Sequence, residues 1–244
     1  MRISKIVVSA LALLLCLGAA AAYAADVPAA GQALRVVAST SSAEELLHGG
    51  PAAWAQVPAR RVGLNRTPPM FETDDLPALD INSTDVKVAR TSGKLLVQVT
   101  WKDATHDAVT LPEVPNTPPE TRFRKVQTGA DDRFFDAAAV MYPSKPGLDA
   151  ISPSLQMGDA EHPVKIYYWN ATRGAMLMET QGRGTTKRTG QSFPANASYQ
   201  AGQYTVIFEL PDLPAGTPVA LAVWNGSQKD RDGRKYFSVW QFLE

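Results

Sequence analysis

Short β-prone runs divided by proline and glycine are the feature that most constrains the fold of this chain. Residues 86–89 and 95–101 flank the turn Thr91-Ser92-Gly93-Lys94 and predict a β-hairpin. A short helix is predicted from Ala43, stopped by Gly49-Gly50-Pro51. Further strands are predicted at 134–142, 164–170, 175–180, 204–210, 219–224 and 236–243. The pattern indicates a mainly β protein: an antiparallel β-sandwich, immunoglobulin-like or cytochrome-domain-like, with a few short helices.

The N-terminus has the features of a secretory signal. Arg2 and Lys5 precede an apolar run at residues 6–18, and Ala22-Tyr23-Ala24 is a small-x-small cleavage site. We therefore expect residues 1–24 to be a signal peptide of the Sec type, because no arginine pair precedes the apolar run. Residues 25–244 are expected to form one periplasmic domain without a membrane anchor, since no later apolar stretch approaches about 20 residues.

Cysteine usage excludes several kinds of site. Cys16 is the only cysteine, and it lies inside the predicted signal. A lipoprotein anchor there is disfavoured, because Leu15 precedes it where a small residue is wanted. Disulfides, zinc-thiolate sites, iron-sulfur clusters and covalent Cys-x-x-Cys-His haem attachment are therefore not expected in the mature chain.

Charge and motifs exclude two broad function classes. Without Arg2 and Lys5, 22 of the 24 basic residues remain against 24 acidic ones, which gives no support to nucleic acid as a partner. The sequence has no Gly-x-Ser-x-Gly nucleophile motif, and His48, His106 and His162 lack metal-ligand spacing. We predict no catalytic residues and no enzyme activity for this chain on its own.

Met157 and Lys235 are the residues whose setting suggests a ligand. Met157 precedes Gly158 at a turn before the aromatic-rich run 164–170. Lys235 is predicted to open a strand and to share an apolar face with Phe237 and Val239, while Tyr236, Ser238 and Trp240 face the other way. A lysine on an apolar face is costly unless it is neutral or has a partner. On pattern alone, a core-filling methionine and a lysine that reaches water remain the commoner explanations.

Four blocks in order along the chain carry a family resemblance. They are Trp54-Ala-Gln-Val-Pro58, Asp136-Ala-Ala-Ala-Val-Met-Tyr-Pro143, Met157-Gly158 with Pro163-Val-Lys-Ile-Tyr-Tyr-Trp-Asn-Ala171, and Trp224-Asn-Gly226 through Gly233-Arg-Lys235 to Ser238-Val-Trp240. Together they resemble the haem-binding gamma subunits of periplasmic molybdoenzymes of the type II dimethyl sulfoxide reductase family. That group contains ethylbenzene dehydrogenase, dimethylsulfide dehydrogenase, selenate reductase and chlorate reductase.

The resemblance implies one non-covalent haem b held in a β-sandwich by methionine and lysine as axial ligands of the iron. Met157 matches the methionine of the family's Met-Gly pair, and Lys235 matches the lysine of the C-terminal block. The lack of cysteine agrees with b-type attachment. Other donors remain open at this stage, namely Lys165, Lys187, Lys229 and His162.

The implied function is electron transfer between an iron-sulfur beta subunit and a soluble cytochrome c, with the molybdenum cofactor in an alpha subunit. The resemblance leaves open whether the complex reduces an oxyanion or oxidises a hydrocarbon or sulfide. A haem-free β-sandwich binding module and a stand-alone haem domain are the alternatives. In the basic segment 182–190, Arg183, Lys187 and Arg188 fit haem propionates, a partner surface or a solvated loop.

Overall fold

The computed structural model describes residues 33–68, 80–108, 134–145, 154–155 and 157–244 as a sandwich of two β-sheets. The predicted signal peptide, residues 1–24, lies outside these ranges. In chain order the elements are β1 (Ala33–Leu34), β2 (Val36–Ala38), α1 (Ala43–His48), α2 (Gly50–Ala53), β3 (Arg60–Gly63), β4 (Asn65–Arg66), β5 (Ser83–Thr91), β6 (Lys94–Lys102), β7 (Ala137–Pro143), β8 (Val164–Asn170), β9 (Gly174–Thr180), β10 (Lys187–Arg188), β11 (Ala195–Gln200), β12 (Gln203–Pro211), β13 (Pro218–Trp224), β14 (Tyr236–Phe237) and β15 (Gln241–Leu243).

The larger sheet has the strand order β1-β15-β13-β7-β8-β9-β10, with β14 joining β13 to β4. The smaller sheet has the order β11-β12-β6-β5-β2, and β3 also pairs with β5. Nearly all neighbours are antiparallel, which confirms the predicted sandwich. The exceptions are two short parallel pairs near the N-terminus, β1 with β15 and β2 with β5.

The predicted hairpin is β5 and β6, joined by the two residues Ser92 and Gly93. Both residues have positive φ, 47° and 71°. This is the backbone that a two-residue hairpin turn requires, and glycine adopts it without steric cost. The other predicted strands are present as β7, β8, β9, β12 and β13, with ends that differ from the predictions by three residues or fewer.

The strands of the larger sheet bury both faces. In β7, the residues Ala138, Val140 and Tyr142 join the core between the sheets, whereas Ala137, Ala139 and Met141 join a second apolar cluster on the outer face. The same alternation runs through β8 and β13, as the two-residue period of a strand requires. The outer cluster of this sheet, defined by Ala137, Ala139, Met141, Val164, Ile166, Ala220, Ala222, Trp224 and Trp240, is called the outer face below.

The two helices cover the far side of the smaller sheet. Ser42 caps α1 through a reciprocal pair of hydrogen bonds with Glu45, and Leu46 and Leu47 pack with Trp54 against that sheet. Gly49 interrupts the helix as predicted, but a further turn, α2, follows with Pro51 in its first turn. Among the described residues, no helix has the length and apolar character needed to span a bilayer.

Two expectations about strands are wrong. The predicted strand at 236–243 is divided into β14 and β15, and Trp240 packs on the outer face while Tyr236 lies in the core between the sheets. Residues 238–240 lie outside both strands, so the two-residue alternation that predicted Tyr236 and Trp240 on the same side does not continue through them. Residues 33–38, for which no strand is predicted from the sequence, form β1 and β2 because their backbones pair with β15 and β5.

Candidate functional site

A cavity of about 740 Å³ opens on the outer face of the larger sheet. Its floor is formed by residues of β7, β8 and β13, among them Ala139, Ile166 and Ala222. Residues from the loops around the sheet form its walls, including Phe135, Leu155 and Met157. The volume lies within the roughly 300–1,000 Å³ typical of small-molecule and cofactor sites.

Small side chains make room for this cavity. Alanine occupies the outer positions of two adjacent strands, with Ala139 of β7 directly opposite Ala222 of β13. The next outer pair, Met141 and Ala220, also lines the cavity. A close-packed sheet face would carry larger residues there. Sequence reasoning missed this floor, although alternate alanines in two buried strands were a usable signal.

Met157 sits in a turn that fixes its backbone. Its φ is +80°, a left-handed conformation that is uncommon for residues other than glycine and that costs on the order of 1–3 kcal/mol. The Met157 carbonyl accepts a hydrogen bond from the Gly182 amide at 2.9 Å. The next amide, that of Gly158, donates to the Ser154 carbonyl at 2.8 Å. The turn therefore holds the Met157 side chain against the outer face, with which it packs.

Gly158 is required by two constraints at this turn. Its φ is +73°, and a Cβ built on it would lie 2.6 Å from the His162 carbonyl oxygen and 3.3 Å from Val164 Cγ1. Asp159 closes the turn, because its Oδ1 accepts from the His162 amide at 2.8 Å and contacts His162 Nδ1 at 3.0 Å. Those hydrogen bonds hold the pKa of Asp159 below its usual value. The turn therefore requires glycine as the second residue of the Met157-Gly158 pair.

Two hydrogen bonds to its backbone carbonyl hold Lys235 in position. That oxygen accepts from the Thr67 amide and from Thr67 Oγ1, both at 2.9 Å. The following residue, Tyr236, points into the core between the sheets and donates from its hydroxyl to Asp80 Oδ1 at 2.7 Å. Lys235 therefore faces the opposite way, into the cavity, on the side that it shares with Phe237 as predicted.

A buried polar network holds the loop between β13 and β14. Asp230 accepts two hydrogen bonds from Arg66, at 2.5 and 3.3 Å, and one from the Asn225 amide at 3.1 Å. Asp136, fully buried, accepts from the Gly226 amide at 2.9 Å. Burial raises the pKa of Asp230 to about 6, against the opposing effects of the Asn225 amide and Arg66. Paired in this way, the buried carboxylates fix the loop that ends at Lys235.

The structure brings Met157 and Lys235 together in the cavity. Lys235 Nζ lies 3.5 Å from Met157 Sδ, although the residues are 78 positions apart in the chain. The same nitrogen is 5.3 Å from the centre of the Trp224 ring. Burial, with a smaller contribution from the Arg183 guanidinium, lowers the pKa of Lys235 to about 8, against an opposing effect of Asp232. Burial therefore makes it easier for Lys235 to lose its proton and become the neutral amine, the form that can donate to a metal.

The competing donors lie elsewhere. Lys165 points toward Glu179, with 4.0 Å between Nζ and Oε1, and His162 contacts Asp159 on the surface. Lys187 and Lys229 are exposed. Among the aromatic residues of this region, Tyr168 and Trp224 line the cavity, Trp169 lies in the core between the sheets, and Trp240 packs on the outer face.

The residues of the cavity fit a haem. The floor is apolar, and a soft thioether and an amine meet at one point of the wall. Thioether sulfur and uncharged nitrogen are both donors that iron accepts in haem proteins. Both side chains are long and unbranched, so their rotamers could adjust to hold a metal between the two donor atoms.

These features define a class of protein: a β-sandwich domain that carries a cofactor-sized apolar cavity on the outer face of one sheet. A scan against models of protein families finds no match. Individual relatives do match. The chain is 30% identical over 200 residues to a respiratory nitrate reductase heme subunit candidate of Haloferax mediterranei, spanning 77% of this chain and 64% of that protein, which is less than two thirds of its length.

Two further relatives match over larger parts of their own length. Dimethylsulfide dehydrogenase subunit gamma of Rhodovulum sulfidophilum is 30% identical over 215 residues, 78% of this chain and 71% of the relative. Chlorate reductase subunit gamma of Ideonella dechloratans is 26% identical over 240 residues, 93% of this chain and 90% of the relative. The chain belongs to this family, the gamma subunits of molybdoenzymes, which confirms the resemblance seen in the sequence. Two of these relatives are named as gamma subunits, of a dehydrogenase and of a reductase, and the third is named as a heme subunit of a reductase.

Proposed function

We propose that this chain is a periplasmic b-type cytochrome subunit that holds one non-covalent haem b in the outer-face cavity, with Met157 and Lys235 as axial ligands. The observation that carries the proposal is the 3.5 Å contact between Lys235 Nζ and Met157 Sδ inside a cavity of cofactor size. The name of the Haloferax mediterranei relative, a heme subunit candidate, supports the choice of cofactor. The lack of cysteine in residues 25–244 supports non-covalent attachment.

The haem, when bound, would supply a carrier that takes and gives one electron at a time. Met157 and Lys235 together would occupy both axial positions, so no site remains for oxygen or peroxide to bind. Lys235 must donate as the neutral amine, and its burial disfavours the ammonium form compared with an exposed lysine. The apolar floor around Ala139 and Ala222 would help to exclude water from a bound cofactor. The arrangement is suited to outer-sphere electron transfer and not to substrate chemistry.

The partners follow from the family. We infer that the chain assembles with an iron-sulfur beta subunit and a molybdopterin-containing alpha subunit, and exchanges electrons with a soluble cytochrome c. The relatives are named for complexes that act on different compounds, nitrate, dimethylsulfide and chlorate. One gamma-subunit fold therefore serves different substrates, and the choice among them is made outside this chain.

Optical spectra of two variants and two matched controls test this proposal. The mature chain should give a pyridine haemochrome spectrum of haem b and low-spin bands in both oxidation states. Met157→Ala and Lys235→Ala should each lose the low-spin bands. Met178→Ala, which alters another cavity methionine, and Lys165→Ala, which alters a lysine outside it, should keep them. If Met157→Ala and Lys235→Ala both keep the wild-type bands, the ligands are wrong; a wild-type chain that takes up no haem refutes the function.

A further inference from the structure

Arg183 is a cation in the wall of the cavity. It lies in the loop between β9 and β10 and lines the cavity together with Met157 and Lys235. Its guanidinium is close enough to Lys235 for its charge to lower the pKa of that amine. Within the described ranges, Arg183 makes no ion pair and no hydrogen bond through its side chain. An anionic group on a ligand in the cavity would give this guanidinium a charge partner.

The backbone next to Arg183 is tied to the Met157 turn. Gly182 donates its amide hydrogen to the Met157 carbonyl at 2.9 Å. The Gly182 carbonyl in turn accepts from the hydroxyls of Thr185 at 2.7 Å and Thr180 at 2.9 Å. The side chain of Arg183 is exposed, whereas the backbone of Gly182, the residue before it, makes four hydrogen bonds, the fourth from the Thr185 amide to the Gly182 carbonyl at 3.2 Å. Arg183 is therefore presented at a defined place beside the proposed ligands.

The other basic residues of this region are placed differently. Lys187 is exposed and does not line the cavity. Arg188 directs its guanidinium to Met176 Sδ at 2.7 Å. Arg173 lines the cavity from the turn between β8 and β9, at the opposite end of β9 from Arg183. Of the three basic residues that the sequence offered as partners for propionates, only Arg183 both lines the cavity and acts on Lys235.

The ligand that fits an apolar cavity with such a cation at its wall is a largely apolar ring that carries a carboxylate. Guanidinium groups bind carboxylates through charge-assisted and frequently bidentate hydrogen bonds. Haem b has this chemistry, because its two propionates project from one edge of an apolar macrocycle. We propose that Arg183 binds a haem propionate and thereby anchors the cofactor at the open side of the cavity. This inference rests on the proposed function and adds the residue that recognises the acidic edge of the ligand.

The inference has two measurable consequences. Removal of the guanidinium should speed haem loss, because the propionate loses its partner. It should also lower the reduction potential, because a nearby positive charge disfavours the ferric state more than the ferrous one. A merely structural role would change neither quantity. Since Arg183 is exposed in a loop, its replacement should leave the fold intact, which the thermal unfolding of the variant checks.

The experiment compares Arg183→Gln with Lys187→Gln in the mature protein, using haem b and haem b dimethyl ester as probes. Lys187→Gln removes the same charge from the first residue of β10, which follows that loop and does not line the cavity. We expect haem transfer to apomyoglobin to be about tenfold faster from Arg183→Gln than from wild type, equivalent to about 1.4 kcal/mol, and unchanged in Lys187→Gln. With the ester, which carries no propionate charge, Arg183→Gln and wild type should lose the ligand at the same rate.

Two results overturn the inference alone: a low-spin wild-type protein from which Arg183→Gln loses haem no faster than Lys187→Gln, or an Arg183→Gln effect that is equally large with the ester. A lower potential in Arg183→Gln but not in Lys187→Gln supports it. A wild-type chain that takes up no haem overturns the proposed function, and this inference with it.

Discussion

The two faces of the larger sheet come from the same strands and differ in what they contact. Val140 and Leu221 point inward and pack against the smaller sheet, whereas their neighbours Ala139 and Ala222 point outward and form the floor of the cavity. Large residues on the inner side fill the space between the sheets. Small residues on the outer side leave space. The inner face therefore stabilises the fold, whereas the outer face leaves room for a ligand.

The largest contrast is expected for two phenylalanines. Phe208 is fully buried between the sheets, while Phe237 is half-buried beside the cavity. Phe208→Ala should lower the free energy of unfolding by about 3–5 kcal/mol, since it leaves a hole in a close-packed core. Phe237→Ala should lower it by about 1 kcal/mol or less but should weaken haem binding. Urea denaturation and haem titration of both variants check this; equal losses of stability would refute the division between the faces.

We expect Lys235 to destabilise the haem-free protein near neutral pH. Its pKa of about 8 in the folded chain is below the usual value, mainly through burial, so the unfolded chain binds more protons between about pH 8 and 10.5 and stability rises with pH across that window. Lys235→Met should therefore stabilise the haem-free protein by about 2 kcal/mol at pH 7, and this advantage should shrink above pH 8. Denaturation at several pH values measures the difference, and a constant difference would contradict the burial of the ammonium.

Two adjacent alanines in β7 test the difference between the inner and outer faces of the larger sheet. Ala138→Leu adds bulk to the close-packed interior and should cost about 1–3 kcal/mol of stability. Ala139→Leu adds the same bulk to the cavity floor and should change stability by less than about 1 kcal/mol, while haem uptake falls. Thermal unfolding and haem content are the readouts. An Ala139→Leu protein that binds haem normally would show that the floor does not contact the ligand.

A small effect on stability, with a clear effect on the iron's spin state, is expected at the Met157 turn. Gly158→Ala places a methyl group 2.6 Å from the His162 carbonyl at a positive φ, so the turn must shift. We expect a loss of about 1 kcal/mol together with a fraction of high-spin haem, because Met157 moves. Gly184→Ala is the control, since its φ is also positive but no atom lies near the added methyl group. If Gly158→Ala keeps a fully low-spin spectrum, the turn does not position Met157.

The sandwich could be predicted because its signals are local. The hairpin turn at Ser92 and Gly93 and the prolines at the ends of β7 and β12 each act through neighbouring residues. The short strands β1 and β2 were not predicted, because their formation depends on backbone pairing with β15 and β5, far along the chain. Propensity alone cannot reveal such pairing.

The site was predictable only in part. Family resemblance identified Met157 and Lys235, and the two-residue period correctly put Lys235 beside Phe237. Their contact across 78 residues depends on two separate loops, and no local pattern contains it. The network of Arg66 with Asp230 that holds one of those loops joins residues 164 positions apart. The position of Arg183 likewise arises from a hydrogen bond between Gly182 and Met157 that only the folded chain shows.

The central claim, that Met157 and Lys235 meet on the iron of one haem, is tested most directly by NMR of the ferrous protein labelled at its methionine methyl groups. A methionine bound to haem iron has its methyl group over the ring, where the ring current shifts its signal far upfield. We expect one such signal from the wild-type protein. It should be absent in Met157→Ala and present in Met178→Ala. It should also be lost in Lys235→Ala, because that change would leave the iron high-spin. An upfield methyl signal that persists in Met157→Ala would contradict ligation of the iron by Met157. So would the absence of this signal from a haem-loaded, low-spin wild-type protein.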